Sequence, residues 1–218
     1  AQPLLAALAW EVFRIEGEAD WIAEVYPALR NFIRVWFDRD HDRDGDGYPE
    51  WDDALQTGLE DIPLYDRWHA ATQGVDITTL ECPGLGAMLY QELNCLKKMA
   101  GVLSQSDSTG WLDEKMSSLR EAVLERREKG SGRMRYRDAQ THQSPVGSLL
   151  KTFEGAGNHA WRKHFPSPRR LQLEYLTASE ATRPITVRVS GEGPQGEVSE
   201  RFLPRDWHWS SGRACATS

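Results

Sequence analysis

The residues best suited to chemistry lie between Asp38 and Asp66. There the run DRDHDRDGDGYPEWDDALQTGLEDIPLYD holds 11 of the 33 acidic side chains, against Arg39 and Arg43 as full positive charges. Carboxylates this close repel one another. Two arrangements relieve that repulsion: a bound cation, or a site that presents carboxylates to a substrate. The spacing points to both, the first at Asp42 to Asp53 and the second at Glu60 and Asp61.

Asp42, Asp44, Asp46, Gly47 and Asp53 fit the calcium-loop pattern D-x-D-x-D-G-x5-[DE]. Alternate carboxylates in a tight turn converge on one point, and glycine at the sixth place permits the bend. Tyr48 adds a backbone carbonyl and Glu50 a side-chain oxygen. The expected ligand set is therefore Asp42, Asp44, Asp46, Tyr48, Glu50 and Asp53, around a structural Ca2+ ion. A register starting at Asp40 puts Trp51 at the last ligand place and is set aside. Pro49 prevents a clean exiting helix, so the segment reads as an EF-hand-like loop, not an EF-hand domain. The competing reading is a solvated acidic turn capped by Arg39 and Arg43.

Helices must carry these loops. Residues 2–16 read as a helix with Pro3 at its first position, an apolar stripe of Leu4, Leu8, Val12 and Ile15, and a stop at Gly17. Residues 20–37 read as a second, with Asp20 as N-cap and Ile22, Val25, Leu29, Phe32 and Trp36 buried; Pro27 would kink or restart it. Residues 83–103 give the clearest helical period, with Leu85, Leu89, Leu96, Met99 and Leu103 on one side and one charged residue, Glu92, among them. Residues 110–129 supply its partner, with Leu112, Met116, Leu119 and Val123 inward. After Gly130 and Gly132 the helical period is lost, and 134–138 suggests a short strand. A proline-marked linker at 165–168 then leads into period-two segments at 171–175, 185–189, 198–203 and 207–209. The fold class expected is mainly α. Helical hairpins fill residues 1–164, and a small antiparallel, β-sandwich-like module, inserted and incomplete, fills residues 165–218.

A net charge of −7 disfavours nucleic acid as a partner, because phosphate binding wants a basic face. No apolar run is long enough to span a bilayer. The opening AQPLLAALAW lacks a basic n-region and reads as an element entered midway, not as a signal peptide. Cys82, Cys95 and Cys215 are too few and too far apart for a disulfide framework, and they leave the compartment open. Nine tryptophans are a high count, and aromatic faces commonly stack on sugar rings. Packing between helices accounts for at least half of them, and strand alternation into a small core accounts better for Trp207 and Trp209 than a sugar platform does.

Three segments resemble glycoside hydrolase family 63 and its clan relatives. They are DRDGDGYPEW, then QTGLEDIP, then VDITTLECPGLGAMLYQELNCLKKMA over 75–100. Those relatives are (α/α)6-toroid glycosidases that include processing α-glucosidase and mannosylglycerate or glucosylglycerate hydrolases. The resemblance covers about residues 1–138 and implies four helices of a twelve-helix toroid. Aligning Gly58 and Pro63 puts Glu60 at the family's general-acid aspartate and Asp61 at its asparagine. Glutamate in place of aspartate lengthens the acid by one methylene, and the family's serine and asparagine are missing. Asp76, Ala87, Leu89 and Tyr90 fall on a third, looser motif that implies substrate binding by Asp76. Trp51, Asp66, Arg67 and Trp68, from the same loops, are further candidates for a sugar subsite; for Arg67 and Trp68 a local salt bridge and a packing ring are equally good accounts.

The leading expectation is an inverting glycosidase acting on a short α-glucoside or α-mannoside. Such enzymes need two carboxyl groups roughly 6.5–9.5 Å apart, one an acid and the other a base. Adjacent Glu60 and Asp61 do not suit both roles, and nothing resembles the family's base motif, so the base is expected outside this chain. Whether the fragment is active by itself stays open. An incomplete toroid would expose apolar helix faces, which makes a homo-oligomer a fair expectation. The alternative is a non-catalytic, calcium-dependent carbohydrate-binding or interaction protein. That reading explains the acidic loop, the tryptophans and the β module without a missing base.

Overall fold

The computed structural model describes residues 2–58, 77–105, 109–144, 148–167, 169, 171–177, 183–210 and 213–217. Two compact units emerge, one of residues 1–58 and 76–145 and one that contains residues 146–218. The first is built on four helices: α1 (Leu5–Glu16), α2 (Ala19–Val35), α3 (Pro83–Val102) and α4 (Gly110–Glu125). Both α1 and α2 pack on α3, and α3 packs on α4. All four expected helices are present, with ends shifted by a few residues.

The charged residue on the apolar face of α3 has a structural reason. Glu92 is fully buried, and its two carboxylate oxygens accept from the backbone N–H of Ala6 at 2.7 Å and of Ala7 at 2.8 Å. These are two of the orphan donors that any helix start leaves unpaired. A carboxylate there also meets the positive end of the α1 dipole. So α1 is capped from a distant helix and begins at Leu5, after Pro3, with no side-chain cap of its own. Burial raises the Glu92 pKa above the usual glutamate range, against the two backbone donors that lower it.

The face α1 buries is not its leucine stripe. Ala6 and Ala9 are the buried positions, while Leu8 is 62% exposed and Ile15 84% exposed. Small residues let the α1 backbone approach α3 closely enough for Glu92 to reach it. In α2 the buried residues are Ile22, Tyr26, Leu29 and Ile33, with Trp36 beyond the helix, so Val25 and Phe32 lie only at the edge of the core. The helix runs through Pro27 as one element, neither broken nor restarted. Pro27 is exposed, where water can serve the carbonyl that loses its donor. Asp20 lies in the first turn, and Glu18 takes the N-cap position.

Two short strands close this unit. β1 (Leu80–Glu81) pairs antiparallel with β2 (Arg137–Asp138), opposing Leu80 to Asp138 and Glu81 to Arg137. This pairing draws the segment after α4 back to the start of α3.

The second unit holds β3 (Gln172–Leu176), β4 (Val187–Gly193), β5 (Gly196–Phe202), β6 (His208–Ser210) and β7 (Arg213–Thr217). They form an antiparallel sheet of order β3-β7-β6 and a β4-β5 ribbon. Phe202, Trp207, Ala214 and Ala216 make its core, with Leu173, Tyr175, Ile185, Val187, Val189 and Trp209 packed around them. Trp207 and Trp209 are therefore packing residues. The central strand β7 was not anticipated, since RACAT carries little periodic signal. No described helix is long and apolar enough to cross a membrane.

Replacing Glu92 by leucine leaves one buried and one part-buried N–H group without an acceptor, at about 1–3 kcal/mol for the buried one and less for the other. Urea denaturation should show Glu92→Leu less stable by about 2–4 kcal/mol. The raised pKa adds a pH signature. Its contribution is greatest below the usual glutamate pKa and falls as pH rises through the higher folded value. Glu92→Gln should remove that component.

Candidate functional site

The acidic loop after α2 is folded by its own carboxylates. Asp42 Oδ2 accepts from Gly47 N at 3.0 Å, Asp44 Oδ1 from Asp46 N at 3.2 Å, and Asp46 Oδ1 from Tyr48 N at 2.8 Å. Gly45 and Gly47 take φ of +75° and +89°, the left-handed region that glycine enters without strain. Glu50 closes the loop: its N–H donates to the His41 carbonyl at 2.7 Å, and its Oε2 accepts from Arg43 N at 3.1 Å. The spacing expected of a cation loop thus becomes a set of turns that aim carboxylates inward.

Two oxygens in the loop are left over. Asp42 Oδ1 and Glu50 Oε1 are buried and accept no hydrogen bond from the protein. A buried carboxylate oxygen without a donor is costly and calls for a proton or a cation. The protonation balance agrees. Burial raises the Asp42 pKa, helped by the Asp46 and Asp44 carboxylates, against the Gly47 N–H. Burial pushes Glu50 up to about 7, with Asp44 and Asp42 adding to it against Arg43. These donors fit a hard, oxygen-seeking cation.

A second cluster abuts the first. Asp44, Asp46, Glu81 and His142 each offer a ligand atom, all within 4.8 Å of one another, and together they are a candidate metal centre. His142 Nε2 lies 3.1 Å from Asp44 Oδ2. Here, though, guanidinium groups already stand against the carboxylates. Arg137 bonds Glu81 through Nε at 2.6 Å and also pairs with Asp46, while buried Arg126 pairs with fully buried Glu81. Arg43 likewise stands 3.8 Å from Glu50 on the loop side, and among the described residues the buried carboxylate oxygens left without a donor are Asp42 Oδ1, Glu50 Oε1 and Glu81 Oε1.

Tyr48 ties this region to α3. Its hydroxyl donates to the Cys82 carbonyl at 2.7 Å, and the Arg126 guanidinium lies over its ring at 3.9 Å. Gly86 makes room for the ring: a Cβ there would sit 2.3 Å from the Tyr48 hydroxyl oxygen. Beyond the loop, a 3-10 turn, η1 (Ala54–Thr57), is capped by Asp53, whose side chain accepts from Gln56 N at 3.1 Å. Asp53, expected as the last cation ligand, thus spends one oxygen on η1.

Trp51, expected as a candidate for a sugar subsite, is drawn into the interior of the helical unit. It is 2% exposed and meets Trp36 edge-on at 5.6 Å, so its ring belongs to the core. Glu60, Asp61, Asp66, Arg67, Trp68 and Asp76 lie outside the described residues. The structure brings Asp42, Asp44, Asp46, Tyr48 and Glu50 together in one loop. It adds Glu81, Arg126, Arg137 and His142, none of which the loop pattern signalled. Their partners are distant in sequence, so only the tertiary fold reveals them.

Residues 1–185 match the family described as the mannosylglycerate hydrolase MGH1-like glycoside hydrolase domain, and the chain belongs to that family. This bears out the resemblance to family 63-like glycosidases. No curated protein and no solved structure matches the chain.

Truncating Glu81 would strand the Arg126 guanidinium in the interior. Glu81→Ala should cost about 3–5 kcal/mol in urea denaturation. The double variant Glu81→Leu with Arg126→Met should recover most of that loss, because it removes both members of the buried pair.

Proposed function

We propose that this chain is the acid-bearing part of an inverting glycosidase that cleaves a short α-glucoside or α-mannoside. The observation that carries the proposal is the family match over residues 1–185. In this reading Glu60, or its neighbour Asp61, is the general acid. It stays protonated and donates to the glycosidic oxygen as the bond to the anomeric carbon breaks. A second carboxylate, from residues outside this chain, takes a proton from the water that attacks the opposite face. Asp66, Arg67, Trp68 and Asp76 line the substrate site. The helices of residues 1–164 form part of an (α/α)6 toroid, and residues 165–218 form a module set into it.

Asp42, Asp44, Asp46, Glu50 and the Tyr48 carbonyl would hold a calcium ion. The support is the pair of buried, donorless oxygens on Asp42 and Glu50. The ion would supply charge neutralisation that braces the loop, and it takes no part in bond cleavage. Tight calcium binding near a hundredfold above Kd adds about 2.7 kcal/mol. Chelation should therefore lower the thermal midpoint by about 5–10 °C at this chain length. Asp42→Asn together with Glu50→Gln should abolish the response to chelator.

The deciding experiment is sugar release by the complete natural polypeptide on a panel of α-glucosides and α-mannosides. Glu60→Gln should reduce turnover at least a hundredfold with an unchanged circular dichroism spectrum, since general acid catalysis contributes about 10²–10⁴. Full activity in Glu60→Gln and loss in Asp61→Asn would move the acid to Asp61. Sugar binding with no release from any substrate would establish a carbohydrate-binding protein instead.

A further inference from the structure

Residues 148–164 are exposed at every position and form neither helix nor strand. Within this stretch the chain folds back on itself at Gly155, whose φ of +74° lies in the left-handed region that glycine enters without strain. The fold-back brings three rings together. Phe153 stacks on His159, with centroids 4.7 Å apart and planes at 27°, and Trp161 lies tilted against Phe153 at 5.9 Å. His159 Nε2 lies 3.3 Å from the Gly155 carbonyl, which fixes the imidazole within the turn. Phe153 stays 40% exposed and Trp161 39%, whereas Trp36, Trp51 and Trp207 are buried. These rings gather with no core to enter, and apolar surface left in water in this way marks a place where a partner binds.

Cations share the segment with the rings. From 151 to 170 the sequence sets Lys151, Arg162, Lys163, Arg169 and Arg170 against one acidic residue, Glu154, in a chain of net charge −7. Lys151, Arg162 and Lys163 are exposed, and none of them is in an ion pair with a described residue. Aromatic faces stack on the C–H faces of sugar rings. Guanidinium and ammonium groups bind carboxylates. We propose that this loop is a binding site of its own for an acidic glycan, one whose sugars carry carboxylates. Trp161 and Phe153 supply the ring faces, and Arg162, Lys163 and Lys151 supply the counter-charge. Membership of a glycoside hydrolase family favours a glycan as the ligand. A nucleic acid strand or an anionic bilayer presents dense charge over a wide front, which the acid-rich remainder of the chain opposes. The sparse carboxylates of a short glycan meet the basic loop alone. The inference rests on the glycosidase family and is independent of which carboxylate is the catalytic acid.

The test is calorimetric titration of the complete natural polypeptide with an α-linked galacturonate hexamer and with the neutral maltohexaose. The wild type is compared with Trp161→Ala and with the double variant Arg162→Gln, Lys163→Gln. These side chains are exposed, so thermal midpoints should stay within about 2 °C of the wild type. The galacturonate hexamer should bind the wild type, about tenfold more weakly in each variant, and more weakly as salt rises. Maltohexaose should bind the wild type at least about tenfold more weakly than the galacturonate hexamer does. No binding of the galacturonate hexamer, or equal binding by the wild type and both variants, overturns the site. Equal affinity for maltohexaose overturns the preference for an acidic glycan. Tighter binding of phosphatidylserine vesicles or of a thymidine oligonucleotide, lost in the same variants, assigns the loop to a lipid surface or to nucleic acid and overturns the glycan. Turnover of 4-nitrophenyl α-glucoside and α-mannoside is read in parallel, and both variants should keep the wild-type kcat. A kcat lost in step with binding overturns a site of its own. If neither glycoside is turned over while the binding pattern holds, the catalytic reading falls and this site stands.

Discussion

The helical unit depends on one fully buried carboxylate, Glu81, placed between two arginines. Arg126 comes from the end of α4 and Arg137 from β2, so the ion pairs join three elements distant in sequence. A charge buried this deeply persists only if its partner is fixed and near. That requirement sets the register of β1 on β2 and the place of Arg126 above the Tyr48 ring. Tyr48 is wedged in turn against Gly86, and so the acidic loop is docked on the start of α3. Glu92 does the same at the other side of α3, holding the start of α1. Two buried glutamates near one helix therefore place the two segments that flank α2.

The acidic loop shows how repulsion is turned into shape. Each aspartate of the alternating series has a backbone N–H two to five residues on to accept from, which bends the chain at Gly45 and Gly47. Arg137 and Arg126 offset charge on the side toward Glu81. Asp42 Oδ1 and Glu50 Oε1 in the loop, and Glu81 Oε1 beside it, stay buried without a donor.

The aromatic residues are mostly used for packing. Trp36, Trp51, Trp207 and Trp209 lie in or against the cores of their own units. Trp111 lies edge-on to Phe37, with the Arg34 guanidinium 5.4 Å from its centroid. Trp10 pairs with Phe13 and carries Lys98 over its ring. Among the described tryptophans the most exposed is Trp161, at 39%, tilted against Phe153. Most of the described tryptophans thus pack within their own units, on helices, loops and strands alike.

Local order made much of this chain legible. The four helices follow from their 3.6-residue period, the acidic turn from alternate aspartates with glycine at the sixth place, and most strands from period two between turn residues. These features depend on neighbours within a few positions, and the sequence by itself determines them. The tertiary structure decided the rest. Periodicity marks an apolar stripe on α1 but cannot say which face meets α3, and close approach favoured the alanines over the leucines. Glu92 read as a lone charge in an apolar row until its partners, 86 and 85 residues away, were in place. Glu81, Arg126 and Arg137 leave no local trace, because a buried ion pair is a relation between distant residues and appears only when the chain has brought them together.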